Sequence, residues 1–440
     1  MLLLLFKSGN LPVFFYTIFL ILYRTGINIA SFWNPKAKKW LKGRKNLLEK
    51  IKSAIIGEQG KIIWFHCSSL GEFEQGRPVM ERIRAQNTRH KILLTFFSPS
   101  GFEVRKDYEG ADYIFYLPMD SKRNTKQFLD IVKPSLVVFV KYDYWYYYLS
   151  EIKKRKINCL LISAVFRKDQ LFFKWPGVLQ RKMLHCFTRI FVQNEESKKL
   201  LTTIGFQNSI VSGDTRFDCV IEIADKFEPI PFIEKFIGNS KSIVAGSTWK
   251  EDEEVLQKVL TELNDYNLKL IIAPHEIHES RLDELEKLFP RSIRFSNLAR
   301  NAEPGTNNKP HNGGATGNIL IIDNIGMLSR LYKYAYITYV GGGFTKDGIH
   351  NVLEAAVYRK PVVFGKNYKK YKEATDLIGY EAAKSFYNKD ELFQILFTLL
   401  NDEEDYRQKC QASGNYIWKN KGATEIILRY IEENRLLTSW

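Results

Sequence analysis

The chain has few of the residues that usually hold metals or form disulfides. Its five cysteines are scattered singly without a CxxC pair, and its seven histidines include no HxxxH spacing. Neither a zinc site nor a disulfide framework is therefore indicated. We expect a reduced, cytosolic body that works without a metal ion and without a cofactor.

Two common nucleotide-binding signatures are also missing. No GK[ST] tripeptide occurs, and no GxGxxG follows the first predicted strand. The chain lacks a helix-turn-helix and an RNA-binding aromatic signature, so we expect no nucleic-acid partner. A formal net charge of +16 nevertheless favours some other anionic partner, such as a membrane face or a phosphorylated substrate.

Charge is almost absent from residues 11–33, "LPVFFYTIFLILYRTGINIASFW", where Arg24 is the one charged residue. About 20 apolar residues can span a bilayer as a helix. The basic stretch "NPKAKKWLKGRK" follows directly, which predicts that the rest of the chain lies on the cytoplasmic side of the inner membrane. We predict a membrane anchor over residues 1–35, and the sequence leaves open whether it crosses the bilayer or lies in the interface.

From residue 61 onward, apolar runs of strand length alternate with helical patterns. "KIIWFHC", the helical "GRPVMERIRAQN" and "HKILLTFFS" begin one such series, and "KSIVAGST" begins a second after the proline-containing stretch 225–239. This alternation is typical of parallel sheets covered on both faces. We predict an α/β protein with two Rossmann-like domains, 36–228 and 229–440, and a cleft between them. The polar stretch 298–318 is predicted to be a loop in which His311 is solvated.

The strongest local signal in the second half is "YITYVGGGFTKDGIHNVLEAAVY". Gly341, Gly342 and Gly343 follow a β-rich run and would let the backbone approach a ligand closely. A helix is predicted to begin near Asn351, where its free amides could bind phosphate. Glu354 lies one turn later and suits ribose hydroxyls. The alternative is a tight turn in which Glu354 pairs with a nearby lysine.

In the first half, the apolar run "WFHC" ends in "SSLGEFEQGRP". Ser68, Ser69 and Gly71 are small and would leave room for a ligand where a strand gives way to a helix. Glu72 is either a general base at this strand end or an amino-terminal helix cap. Glu74, two residues later, would point elsewhere and is interpreted as a cap or a surface carboxylate.

Five blocks together resemble the transferases of 3-deoxy-D-manno-oct-2-ulosonic acid (Kdo): "SSLGEFEQGRP", "VSGDTRFD", "AGSTWKEDEE", "DNIGMLSRLY" and "VGGGFTKDGIHNVLEAAVYRKPVVFG". The resemblance covers nearly the whole chain. It implies a GT-B fold with the acceptor domain first and the donor domain second. It also implies inverting, metal-independent transfer of Kdo from CMP-Kdo to the lipid A precursor, with Glu72 as the base. The nucleotide contacts that it implies fall on Gly342, Gly343, Asn351 and Glu354, and near Ser247 and Thr248.

The chain departs from the family pattern in three places. The family's "MExELWP" reads "VKYDYWYYY", with Lys141 in place of the first glutamate and Asp143 in place of the second. Its "PRH" is replaced by "APHEIH", where His275 is the match, and its "STH" has become "STW" at Trp249. The cation for the donor carboxylate is therefore not identified by the resemblance.

The remaining candidates are cations and aromatic residues. Arg216, Lys366 and His275 are candidates for stabilising the leaving phosphate. The stretch 142–148 is either a buried junction or a platform for sugar and lipid. Competing functions are another GT-B enzyme that uses a UDP-sugar, transferase or epimerase, and a non-catalytic membrane-associated binder of polyanions.

Overall fold

The computed structural model describes residues 11–86, 89–300 and 317–437. The predicted loop 298–318 with His311 lies mostly outside these residues. The chain forms two compact units: the first runs to Cys219 and resumes at Lys421, and the second is Val220–Asn420.

The division between the units differs from the predicted boundary at 228/229 in two ways. The chain leaves the first unit inside a helix rather than in the proline-containing stretch, and its last helix returns to the first unit. Ile427, Leu428 and Ile431 of that helix are buried in the first unit's core. Asp218 accepts the backbone N–H groups of Gly422 and Thr424 at 2.6 and 2.7 Å, which fixes the start of the returning helix.

The first unit is built on a parallel sheet with the strand order β3-β2-β1-β4-β5-β6-β7. Its strands are β1 (Lys61–Cys67), β2 (His90–Phe96), β3 (Tyr113–Tyr116), β4 (Leu136–Val140), β5 (Asn158–Ala164), β6 (Arg189–Val192) and β7 (Ser209–Val211). Its helices are α1 (Leu11–Ala30), α2 (Pro35–Gly43), α3 (Leu47–Ile55), α4 (Leu70–Gln86), α5 (Pro99–Arg105), α6 (Lys122–Val132), α7 (Tyr146–Lys154), α8 (Val178–Leu184), α9 (Glu195–Thr203) and, at the boundary, α10 (Thr215–Asp225).

The second unit repeats this plan with the strand order β10-β11-β9-β8-β12-β13-β14. Its strands are β8 (Lys241–Thr248), β9 (Leu268–Pro274), β10 (Ser292–Arg294), β11 (Ile319–Ile321), β12 (Ile337–Val340), β13 (Val362–Gly365) and β14 (Ala383–Phe386). The helices that follow are α11 (Ile233–Ile237), α12 (Lys250–Glu262), α13 (Glu279–Leu288), α14 (Phe295–Arg300), α15 (Leu328–Leu331), α16 (Leu353–Ala356), α17 (Lys372–Gly379), α18 (Lys389–Asn401), α19 (Glu403–Lys419) and the returning α20 (Ala423–Glu433).

The central strands are apolar along their length because helices cover both faces of each sheet. In β1, all residues from Ile62 to Cys67 are buried, and β4 is buried throughout. The strand order reverses between β1 and β4 in the first sheet and between β8 and β12 in the second, where in addition β11 lies between β9 and β10. Ligands of open α/β sheets bind outside the carboxyl ends of the strands at such a reversal. The predicted α/β architecture with two Rossmann-like halves is confirmed.

Helix α1 has the length and composition of a helix that could cross a membrane, and it is barely buried. It nevertheless packs on the first unit along one side. The Tyr16 hydroxyl donates to Asp120 at 2.6 Å, and the hydroxyls of Thr17 and Tyr147 lie 2.7 Å apart. Leu20 is buried in a small apolar cluster of the first unit. The polar side chains of α1 are thus used to hold it against the folded unit.

Candidate active site

In the first unit, the chain segments that follow β1 and β4 meet because these strands are neighbours. The hydroxyl of Ser68, directly after β1, donates to Oδ1 of Asp143, three residues after β4. Lys141 between them has φ +64°, a backbone conformation that is uncommon outside glycine and that concentrates at functional sites. The structure therefore brings together two of the sequence-predicted segments, which lie 75 residues apart.

Glu72 lies in the first turn of α4 and is half-buried. The Ser69 hydroxyl donates to Glu72 Oε2, which holds the carboxylate at the carboxyl end of β1. Next to it, a Cβ added to Gly71 would have only the Ser69 hydroxyl within 4 Å, at 3.8 Å. Among the described residues, the side-chain face of Gly71, the neighbour of Glu72 in sequence, is therefore open.

Glu74 has a different environment, as the sequence predicts for a structural carboxylate. It pairs with Arg77 at 3.1 Å and with Arg105 at 2.8 Å, and both arginines belong to the first unit. These contacts account for Glu74 as part of the packing of α4 against its neighbours.

A buried polar cluster that the sequence did not predict supports Asp143. Trp145 Nε1 donates to His66 Nε2 at 3.1 Å, so the proton of the neutral imidazole is assigned to Nδ1, which faces Thr95 at 2.9–3.1 Å. Burial lowers the pKa of His66 to about 3, so this ring is neutral at pH 7. The pKa of Asp143 is raised to about 8, mainly by burial and in smaller part by the nearby charge of Glu72, while the hydrogen bonds from Ser68 oppose the shift.

The aromatic stretch 142–148 is neither wholly buried nor wholly a platform. Tyr148 is fully buried and donates to the Pro118 carbonyl at 3.0 Å. Tyr142 is exposed, and Trp145 stacks on Phe97 with ring centroids 4.6 Å apart. One stretch thus contributes to both the core and the surface beside Asp143.

Of the three candidate cations, Arg216 belongs to the first unit, and Lys366 and His275 belong to the second. The Nε and Nη2 groups of Arg216 donate to Asp214 Oδ2 at 3.0 and 2.7 Å. This pairing fixes Arg216 at the start of α10. Lys366 is exposed directly after β13.

In the second unit, the three glycines after β12 are required by the fold. A Cβ on Gly341 would collide with the Ser247 carbonyl, and one on Gly343 would collide with Gly365. Gly342 has φ +89°, and a Cβ there would lie 2.5 Å from the Gly348 carbonyl. The tight-turn interpretation is therefore sufficient to explain the glycines, whatever ligand the loop holds.

Asp252 fixes this turn and was missed by the sequence reasoning. Its buried carboxylate accepts the Gly342 N–H at 2.8 Å, the Tyr339 hydroxyl at 2.8 Å and the Trp249 N–H at 2.9 Å. The sequence does carry a signal for this role. Asp252 is the third residue of α12, a position from which a carboxylate can cap the start of the helix. Asp252 thereby joins the ends of β8 and β12.

Replacing Gly342 with alanine is expected to lower the stability of the protein more than replacing Gly326. Both glycines have positive φ, but an added Cβ at Gly326 would have nothing within 4 Å. Left-handed backbone costs an L-residue about 1–2 kcal/mol, and forced overpacking adds roughly 1–3 kcal/mol. The free energies of unfolding of Gly326→Ala and Gly342→Ala, from urea denaturation, should differ by the overpacking cost of roughly 1–3 kcal/mol. Equal losses would contradict the close approach at Gly342.

The prediction of a helix that begins near Asn351 and binds phosphate needs correction. Helix α16 begins two residues after Asn351, near the predicted start, but comprises only Leu353–Ala356. The Leu353 N–H donates to Asn351 Oδ1 at 3.2 Å. The Asn351 side chain also donates to Glu354 at 3.0 Å. Asn351 and Glu354 are therefore brought together as predicted, but a one-turn helix offers little of the dipole on which the phosphate prediction rested.

Ser247 and Thr248 end β8, and Ser247 lies within a register shift against β9 between Gly246 and Thr248. Ser247 has φ +52°, and its side chain is half-buried. The Thr248 hydroxyl is buried and donates to Glu253 at 2.8 Å, and Glu253 in turn pairs with Arg281. Ser247 is therefore more accessible to a ligand than Thr248, whose hydroxyl is bonded in the interior.

His275 takes part in a stack of three rings, in which Trp249 and His275 directly follow β8 and β9 and His350 lies in the segment between β12 and α16. Its ring centroid lies 4.7 Å from that of Trp249 and 4.5 Å from that of His350. Trp249 Nε1 donates to His350 Nε2 at 3.3 Å, and burial followed by the neighbouring His275 lowers the pKa of His350 to about 4. Trp249, which stands where the family has a histidine, thus packs in the second unit beside the carboxyl ends of β8 and β9.

Comparisons with known proteins give a family match within the first unit and relatives over most of the chain. Residues 41–219 match the family model described as 3-deoxy-D-manno-octulosonic-acid transferase (kdotransferase), and this segment contains Glu72 and Asp143. The chain is 27% identical over 350 residues to the 3-deoxy-D-manno-octulosonic acid transferase of Aquifex aeolicus, which covers 78% of this chain and 88% of that protein.

Two further similarities concern a longer relative and the fold. The chain is 27% identical to a bifunctional glycosyltransferase/methyltransferase of Fusobacterium nucleatum over 388 residues, 85% of this chain, and spans about half (55%) of that protein. The solved UDP-GlcNAc 2-epimerase of Neisseria meningitidis, bound to UDP-GlcNAc, has the same fold with a TM-score of 0.59 and 19% identity, over 85% of this chain and 100% of that one. These findings bear out the predicted GT-B architecture. Residues 41–219 match the 3-deoxy-D-manno-octulosonic-acid transferase family, and the chain is a glycosyltransferase.

Proposed function

We propose that this enzyme transfers Kdo from CMP-Kdo to the lipid A precursor, with inversion at the anomeric carbon and without a metal ion. The observation that carries the proposal is the Ser69–Glu72 pair at the carboxyl end of β1, inside the segment that matches the Kdo transferase family. The curated relatives bear the name of the same transferase.

Glu72 is proposed as the general base. An acceptor hydroxyl attacks the anomeric carbon of the donor, the bond from that carbon to the CMP phosphate breaks, and the hydroxyl proton passes to the Glu72 carboxylate. A positioned base typically contributes about 10²–10⁴-fold to such a step. The open space above Gly71 supports the proposal because a sugar hydroxyl needs access to the half-buried carboxylate.

The second unit is proposed to hold the donor nucleotide. Its strand-reversal edge combines Ser247, the turn at Gly342 and Gly343, and the bonded pair Asn351–Glu354. The Glu354 carboxylate suits the ribose hydroxyls. The phosphate of CMP gains negative charge as it leaves, and His275, Lys366 and Arg216 are the cations proposed to stabilise it.

The acceptor is proposed to reach the enzyme from the inner membrane, with both units on the cytoplasmic side. Helix α1 supplies the apolar contact, and the six lysines and arginines of residues 34–45 supply positive charge next to it. Basic residues beside a membrane attract anionic head groups. A net charge of +16 fits the phosphorylated lipid as well as the membrane surface.

Incubating the full-length enzyme with CMP-Kdo and the tetraacylated lipid A precursor is expected to yield a Kdo-bearing lipid and one CMP per transfer. Mass spectrometry of the lipid and chromatography of the nucleotides measure both products. UDP-GlcNAc serves as the alternative donor. Release of UDP from it, or its epimerisation, without turnover of CMP-Kdo would contradict the proposal and favour an enzyme that acts on UDP-sugars.

A further inference from the structure

A mostly apolar groove of about 960 Å³ lies within the first unit, beside the candidate base. At one end it is lined by Phe15 and Phe19 of α1, and at the other by Ser68 and Asp143. The groove thus connects the helix with the composition of a membrane anchor to the polar group that stands next to Glu72. Small-molecule sites have volumes of roughly 300–1,000 Å³ and mostly apolar walls, so this groove is large enough for a ligand.

The wall between these ends comes from the chain before and within α8. Leu171, Phe172, Leu179 and Met183 line it with apolar atoms, and Gln180 lies among them. Phe172, Leu179 and Met183 are also anchored in the core of the first unit. The wall is therefore a fixed part of the fold rather than a loose loop.

The surface around the α1 end of the groove is unusually apolar. Phe15 is 60% exposed, Leu171 50% and Trp175 90%. Exposed apolar patches of this kind mark protein or membrane contacts, and tryptophan is enriched at the level of lipid head groups. Lys174, beside Trp175, adds a charge that suits an anionic leaflet.

The contacts of α1 keep this opening next to lipid. Tyr16 and Thr17 bond to Asp120 and Tyr147 of the folded unit, while Phe15 and Phe19 of the same turns stay exposed. Asp120 also accepts the Tyr147 N–H at 3.1 Å, so the docking point is tied to the start of α7. This arrangement suits a helix that lies in the membrane interface with its outer face in lipid.

We propose that the groove binds one fatty-acyl chain of the lipid acceptor and thereby sets the acceptor's sugar beside Ser68, Asp143 and Glu72. This inference rests on the proposed function, because it takes the acceptor to be an acylated sugar. The apolar lining selects a hydrocarbon chain, the exposed residues of α1 place the opening in lipid, and the polar inner end meets the sugar. The groove makes acylation of the acceptor a determinant of specificity.

The test compares two acceptors, the tetraacylated lipid A precursor and the same disaccharide with its acyl chains removed. Leu171→Asn and Gln180→Trp are expected to lower the ratio of kcat/KM for the acylated to the deacylated acceptor by about tenfold or more, as the loss of apolar fit commonly does. Val178→Asn is the matched control, since Val178 is exposed in the same segment but does not line the groove. Equal ratios for Leu171→Asn and Val178→Asn would overturn the inference.

Photolabelling provides a readout that needs no turnover. The precursor lipid with a diazirine midway along one acyl chain is expected to label residues 170–183 of the full-length enzyme, and Gln180→Trp should abolish that labelling. Labelling confined to α1, or unchanged in Gln180→Trp, would overturn the acyl-chain site. A wild-type enzyme that takes the label in 170–183 but transfers no Kdo would instead contradict the proposed function and leave the lipid site standing.

Discussion

Replacing Glu72 with glutamine is expected to lower kcat for Kdo transfer by about 10²–10⁴-fold, the usual contribution of a general base. Glutamine has the same size and can still accept the Ser69 hydroxyl bond, so the fold and the start of α4 should persist. It cannot accept the proton of the attacking hydroxyl. Initial rates with CMP-Kdo and the lipid A precursor measure the loss, and the thermal midpoint of unfolding checks the fold.

Glu74→Gln is the control for this experiment. Glu74 lies on the same helix two residues away, and its partners are Arg77 and Arg105 rather than the space beside Gly71. Its replacement should leave kcat within about a factor of two, because partly exposed ion pairs contribute only about 0–1 kcal/mol to stability. If Glu72→Gln retained wild-type kcat, Glu72 would be a helix cap and the base would have to be sought elsewhere.

Much of the fold was predictable because its central strands are continuous apolar runs. The predicted strands "KIIWFHC" and "KSIVAGST" coincide with β1 and β8. Strands β7, β10 and β14 were missed, and all three lie at sheet edges. They comprise three or four residues each and pair on one side only, so they need no apolar run that a sequence pattern would reveal.

Helix α4 shows why a helix start can be misplaced. The sequence predicts a helix from Gly76, whereas α4 begins at Leu70. Gly76 and Pro78 both disfavour helix by intrinsic propensity. A Cβ on Gly76 would lie 3.1 Å from Val140, so the glycine serves the close approach of α4 to β4, and tertiary packing overrides propensity.

The candidate site was predictable only where it follows strand ends. Ser69, Glu72 and the glycine turn directly follow buried strands, and this order is visible in the chain. The cluster around His66 and Asp143 is not, because Trp145 bonds to His66 across 79 residues of sequence and Ser68 bonds to Asp143 across 75. The spacing of residues along the sequence does not reveal contacts of this kind.

Asp143→Asn is expected to make the stability of the protein less dependent on pH. Burial raises the pKa of Asp143 in the folded state to about 8 from 3.8, so the folded protein binds this proton more tightly than the unfolded chain does. The carboxyl therefore costs nothing below pH ~4, and its cost grows by up to about 1.4 kcal/mol per pH unit until the pH reaches about 8. Asparagine keeps an oxygen for the Ser68 hydroxyl and has no proton to lose.

Free energies of unfolding from urea denaturation between pH 5 and 9 measure this effect. The difference between Asp143→Asn and the wild type should grow in favour of the variant up to pH about 8 and then level off. Asp120→Asn is the matched comparison, because burial raises the pKa of Asp120 only to about 6, and its difference should level off two pH units earlier. His66 stays neutral in the folded protein over this range, whereas the unfolded chain protonates it below about pH 6.5, so His66 makes stability rise with pH at the acidic end. This slope is shared by the wild type and both variants and cancels in the differences. Parallel pH profiles for wild type and Asp143→Asn would mean that Asp143 ionises freely, and that water reaches the inner end of the groove.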